Sequence, residues 1–289
     1  MVKPTPQTEW INRRGTLLWL AFFFIELGAG GFFVASFFNS LLAMFLGWLV
    51  CTVLGGGAHI LYLGHPFRFW RIVLRPQTSW ISRGLIFVGL FLILGLVHMG
   101  LVLWAQSSLA LMIVVDILAF LVIIYGGFAM NCVNGIPLWN TALLPILYVV
   151  SGIWGGAGLT LATALATGAT PVAIAIEEWV RILLASFILL LCVYLISIRY
   201  GTVVGKISVQ EIVLGRWWPI MWLVVVVLGL ALPGGVVISS FILGLKNMPL
   251  ASLYVSIFCE LVGDLFMRYL ILKCGYYAPL VPSSSYAVP

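Results

Sequence analysis

Carboxyl, imidazole and guanidinium groups interrupt long apolar stretches of this chain. Glu26 sits in the middle of the first stretch, beside Gly28, Gly30 and Gly31, and has no basic residue on its own helix. Asp116 lies within the fourth. Glu260, Asp264 and Arg268 follow one another at i, i+4 and i+8 in the last, so a helix would present all three on one face. That spacing lets Asp264 and Arg268 form a structural ion pair, with Glu260 deeper. Carboxyls in an apolar phase are costly, and where they persist they serve proton relays or ion pairs. Glu26, His59, Asp116, Glu260 and Asp264 are therefore the proton-transfer candidates.

The densest chemistry lies after the second apolar run. Ala58-His59-Ile60-Leu61-Tyr62-Leu63-Gly64-His65-Pro66-Phe67-Arg68-Phe69-Trp70-Arg71 is followed by Ser79-Trp80-Ile81-Ser82-Arg83-Gly84. Arginines here serve topology and headgroup contact. The same set suits a quinone headgroup, which needs hydrogen-bond partners at two carbonyls, a titratable group and an apolar surround. His65, Arg68 and Trp70 are the residues that composition permits for such a site.

Haem is not expected. His59 lies about 6 Å and His98 about 21 Å from the same face at 1.5 Å per residue, so they share no depth, and His65 is in a loop. No resident metal is expected either, since Cys51, Cys132, Cys192, Cys259 and Cys274 form no C-x-x-C pair.

These groups must be positioned by membrane-crossing helices. Of 289 residues, 63% are hydrophobic and only 8% charged, against roughly 25% charged in a soluble domain. That composition excludes a soluble enzyme and predicts an all-α integral membrane bundle, a single domain over 1–289. Eight runs reach the ~20 apolar residues that a span requires: 16–38, 41–63, 84–105, 109–130, 141–165, 178–198, 217–243 and 250–272. Arg13-Arg14 precede an apolar run too long for a cleavable signal, so 16–38 reads as the first span.

An even number of spans puts both termini on one face, here side A. Of the 14 Lys and Arg, only Arg181 and Lys246 then fall on side B; side A holds Lys3, Arg268 and the others. The positive-inside rule makes side A cytoplasmic, in the cell membrane. Glycine clusters, Gly234 and Gly235 included, suggest close helix crossings. Trp70, Trp80, Trp139, Trp217 and Trp218 suggest interfacial anchors.

Several motifs in order carry a resemblance. Gly64 to Trp70, Ser79 to Gly84, and Asn134-Gly135-Ile136-Pro137-Leu138-Trp139-Asn140-Thr141 leading to Ser151-Gly152 resemble the polysulphide reductase membrane-anchor (NrfD-like) family. Glu26 with its glycines, and Glu260 to Arg268 followed by Gly275-Tyr276-Tyr277, match the same pattern across roughly 15–280. The resemblance implies a haem-free, metal-free subunit reacting with quinone (menaquinone or ubiquinone). Its implied partners are an iron–sulfur protein and, through it, a molybdopterin subunit, besides membrane lipid and with no nucleic acid. His65 and Arg68 match the loop motif and Glu26 the acidic position of the first helix; Asn131, Asn134 and Trp139 share their face and would complete the pocket.

Many members of the family dock an exported partner on the face bearing the histidine loop. The charge split puts that face inside, and its size favours a cytoplasmic partner here. Two other readings of the polar residues stay open. One is a proton-coupled transporter using Glu26, Asp116 and Glu260, for which Gly30-Gly31 and Gly234-Gly235 would mark a repeat. The other is a purely structural anchor.

Overall fold

A computed structural model describes residues 4–106 and 108–279; Lys3 and Ser107 lie outside them. Eight spans are present among the described residues. Helix α1 (Gly15–Phe37) turns at Asn39, whose φ of 50° is a left-handed value that asparagine tolerates. The second span, Leu41–Tyr62, is α2 (Leu41–Leu49), a π-helical stretch Val50–Gly56, and α3 (Gly57–Tyr62). A 3-10 segment, Pro66–Leu74, precedes α4 (Trp80–Leu103), whose first turn is capped by Ser79 accepting from the Ser82 N–H. Then come α5 (Leu109–Asn131), α6 (Leu143–Ala166) and α7 (Thr170–Gly201). After α8 (Val203–Val213), a π-helical stretch Ile220–Ala231 runs into α9 (Leu232–Leu243), and α10 (Leu250–Lys273) closes the bundle.

Three boundaries differ from the sequence expectation. The sixth span begins at Thr170 rather than 178, because Pro171 suits a first helical turn and Glu177 is buried against Arg181 instead of ending the helix in water. The third begins at Trp80, drawn out by its serine cap. The expected loop from Tyr200 to Arg216 contains α8, which buries Val204, Val209 and Ile212.

The core forms two clusters. One is built by α1, α2, α4 and α5, the other by α6 to α10 with the Ile136–Trp139 loop. They meet where α1 crosses α6. A β-carbon on Gly30 would stand 2.0 Å from the Gly152 carbonyl oxygen, and one on Gly156 2.2 Å from the Gly30 carbonyl carbon. Only glycine allows these backbones to touch, which replaces the hydrophobic drive that lipid does not supply. Gly234 and Gly235 are a correction: nothing lies within 4 Å of their β-carbon positions, so they make no crossing and are no counterpart of Gly30-Gly31.

Both ends of the described chain lie on one face. β1 (Thr5–Pro6) pairs antiparallel with β2 (Tyr276–Tyr277). The Gln7 N–H donates to the Gly275 carbonyl at 2.8 Å, and Ala278 N–H to Gly135 at 2.7 Å. This strap ties the N-terminus, the C-terminal tail and the Asn134–Asn140 loop together over side A. Arg268 is a second correction, because it is 1% exposed inside the bundle and is not a side A surface charge.

Candidate functional site

The polar centre is assembled from three helices that the glycine crossings hold together. Arg268 of α10 donates from Nη1 to Glu26 Oε2 of α1 at 2.5 Å and from Nε to Asp264 Oδ2 at 3.2 Å. Its Nη2 donates to Ser151 Oγ of α6, and that hydroxyl donates to Asp264 Oδ1 at 2.7 Å. The guanidinium carbon stands 4.5 Å from the Tyr148 ring centroid and 5.8 Å from that of Phe23. The pairing of Asp264 with Arg268 forms as the i, i+4 spacing implies. Glu26 is not the isolated acid its own helix suggested: its partner comes from α10, 242 residues along the chain.

Each free carboxyl edge lies against glycine. A β-carbon on Gly126 would stand 2.1 Å from Glu26 Oε1, and one on Gly158 2.0 Å from Glu260 Oε1. Neither oxygen has a hydrogen-bond partner among the described residues. Two of the three carboxyls, Glu26 and Asp264, thus share one guanidinium. Glu260, a turn before Asp264 and 2% exposed, pairs with no cation among the described residues.

A second polar pair stands beside this centre. His59 Nε2 and the Tyr125 hydroxyl are 3.2 Å apart, with the Phe22 ring 5.9 Å from the imidazole and 5.7 Å from the phenol. Tyr125 directly precedes Gly126, against which Glu26 rests. One turn above His59, whose carbonyl accepts from the Leu63 N–H at 3.2 Å, a cavity of about 910 Å³ opens on side A. Thr8, Asn12, Arg14, Tyr62, Leu63 and Gly64 are among its lining residues. Arg14 reaches toward Gly64, its Nη1 3.9 Å from where a Gly64 β-carbon would be.

His65 and Arg68 follow Gly64 in the chain and are exposed, but neither lines the cavity; the Arg68 N–H donates to the His65 carbonyl at 3.0 Å. Trp70 is exposed farther along the segment. Asn131 and Asn134 are not brought to that cavity. The Asn140 amide donates to the Asn131 carbonyl at 2.8 Å and to Asn134 Oδ1 at 2.9 Å. Asn134 instead lines a separate cavity of about 360 Å³ with Thr141, Ser197 and Thr202. Trp139 is neither an interfacial anchor nor a rim residue. It is fully buried, its Nε1–H donates to the Ile271 carbonyl at 2.8 Å, and its ring packs on Trp10 at 5.2 Å. Asp116 lies ten residues from Gly126 along α5, about 15 Å toward side B, apart from the centre.

Ser151, which the sequence marked only within a motif, and Tyr148, which it did not mark, belong to the centre, and Tyr125 to the pair beside it. Tyr148 and Ser151 are spaced i, i+3 on α6, a helical signal present in the sequence. Glu177 was also missed. It is buried near side B, accepts from Arg181 Nε at 2.7 Å, and accepts from the Ser240 hydroxyl of α9.

The family model described as "Polysulphide reductase, NrfD" matches residues 12–279. The chain is 26% identical over 263 residues to "Protein NrfD" of Escherichia coli, covering 77% of this chain and 80% of that protein. It is 22% identical over 258 residues to "Protein NrfD homolog" of Haemophilus influenzae, with 78% and 79% covered. A match that spans all eight membrane-crossing segments, from just before α1 to the tail beyond α10, makes this chain a member of the NrfD polysulphide reductase family of integral membrane proteins.

Proposed function

We propose that the chain is the quinone-reactive membrane anchor of a respiratory oxidoreductase, exchanging electrons between the quinone pool and an iron–sulfur protein that serves a molybdopterin subunit. Family membership and the eight spans are consistent with the anchor role. The observation that carries the quinone reading is a polar column beneath the side A cavity. From the rim at Tyr62–Gly64 it descends through His59 and Tyr125 to the edge of the Glu26–Arg268 pair. The cavity's volume falls in the range of small-molecule sites. Tyr62 and Leu63 offer an apolar wall, and Arg14 and Asn12 offer donors to a carbonyl oxygen.

Quinol releases two protons with two electrons, so its site needs a base and an exit for the protons. His59 supplies a base one turn below the cavity, oriented by the Tyr125 hydroxyl. His65 and Arg68, which follow Gly64 just beyond the lining, would meet a headgroup as it enters. Electrons leave across side A to the docked iron–sulfur protein. With side A cytoplasmic, that partner is cytoplasmic too.

Turnover of the assembled complex should be measured with quinol and, separately, with an artificial donor feeding the catalytic subunit directly. His59→Phe is expected to lower the quinol-linked rate about 100-fold, the scale of a lost general base, and to spare the bypass assay. His65→Ala and Arg68→Ala should likewise lower only the quinol-linked rate. Normal quinol activity in all three variants would put the pocket elsewhere, and joint loss of both activities would assign these residues to partner docking.

A further inference from the structure

The segment joining the second and third spans carries a surface that electron transfer does not use. A 3-10 helix has three residues per turn, so in Pro66–Leu74 Phe67 and Trp70 stand in one row and Arg68 and Arg71 in the next. Phe67 is 93% and Trp70 53% exposed, and the Arg71 guanidinium carbon lies 5.5 Å from the Trp70 ring centroid. Arg83 is engaged internally, its Nε donating to the Pro76 carbonyl at 2.7 Å and its Nη2 to Gln77 at 2.8 Å. Arg71 and Arg75 are exposed and have no carboxylate or carbonyl partner among the described residues.

Large exposed rings beside unpaired guanidiniums suit the boundary between acyl chains and an anionic headgroup layer. Position favours lipid over a docked protein. The spans flanking the segment, Leu41–Tyr62 and Trp80–Leu103, are peripheral, each 28% buried in its most apolar stretch against 78% for α1. The segment packs chiefly on α4, and so lies over the lipid-facing rim of the bundle rather than over its centre.

We propose that Phe67, Trp70, Arg71 and Arg75 form an anionic-phospholipid site. The Phe67 and Trp70 rings enter the headgroup–acyl boundary, and Arg71 and Arg75 hold the lipid phosphate. The site is independent of the quinone reading, and Arg68, placed where a quinone headgroup would enter, is left unchanged in its test.

The full chain, delipidated in neutral detergent, is titrated with phosphatidylglycerol or phosphatidylcholine, and bound lipid is counted by native mass spectrometry. The parent should prefer phosphatidylglycerol. Arg71→Gln/Arg75→Gln should weaken that binding about 30-fold, from about 1 kcal/mol per basic residue at an anionic surface. Arg71→Lys/Arg75→Lys should keep most of it, and Arg199→Gln/Lys206→Gln, elsewhere on side A, should keep all of it. Inorganic phosphate should not displace the lipid. Equal binding of the two lipids by the parent, unchanged phosphatidylglycerol binding by the double Gln variant, or displacement by phosphate would overturn the proposal. So would loss of a co-expressed protein partner from the double Gln variant with lipid binding intact, which would make the surface a protein dock.

Discussion

Arg268 is shared between Glu26 and Asp264, and removing it strands two carboxylates in an apolar core. Breaking a buried pair from one side costs about 3–5 kcal/mol, because the remaining charge has no solvent. Arg268→Gln should therefore lower the thermal unfolding midpoint of the purified protein sharply. Adding Glu26→Gln should recover part of the loss, since it removes one stranded charge. An Arg268→Gln variant that melts like the parent would show that the centre is not structural. The pair Asp264–Arg268 was legible from its own helix, as was the shared face with Glu260. The contact between Glu26 and Arg268 was not, because nothing local relates two residues 242 positions apart.

Helix α1 is held by close backbone crossings, and these separate two kinds of glycine that look alike in sequence. Gly156→Val would drive a β-carbon into the Gly30 backbone, where no flexible side chain can yield. Overpacking commonly costs about 1–3 kcal/mol, and backbone contact places this variant at or above the upper end. Gly234→Ala and Gly235→Ala meet open space and should be neutral or stabilising by up to about 1 kcal/mol, since alanine is the better helix former. Melting curves of the three variants in one detergent check both halves of this prediction. A Gly156→Val variant as stable as the parent would contradict the crossing. The hydrophobic runs alone could not sort these glycines, because sequence reports that a residue is small and not what faces it.

Across the whole molecule, the strap pairs both ends of the described chain on side A. Reporters fused at the C-terminus and after Asn39 should therefore report opposite compartments, and agreement between them would contradict eight spans. Native cysteines test the orientation. Cys132, at the side A end of α5, is exposed, and Cys192 is exposed within the α7 span, where a reagent confined to water does not reach, whereas Cys51, Cys259 and Cys274 are buried. Cys274, just past α10, is inert for a second reason, since burial, with Glu211 acting in the same direction, pushes its thiol up to about 12. It carries negligible thiolate at neutral pH, and a thiol reagent needs thiolate. With side A cytoplasmic, a membrane-impermeant maleimide should label Cys132 only after the cells are opened. Labelling in intact cells would put side A outside.

Sequence alone determined the class of this protein, the number of its spans and the shared face of Glu260, Asp264 and Arg268. Span length and helical period are local properties, readable wherever twenty apolar residues run together. The order of short motifs was likewise enough to indicate the family that the 12–279 match establishes. Tertiary structure decided which polar groups meet. It turned Trp139 inward onto Trp10, tied Asn131 and Asn134 to Asn140 away from the side A cavity, and brought Ser151 and Glu26 to Arg268. Those outcomes depend on how each helix is rotated and how closely it approaches its neighbours. Both are set by backbone contacts such as Gly30 with Gly152 and Gly156, which exist only once α1 and α6 have crossed.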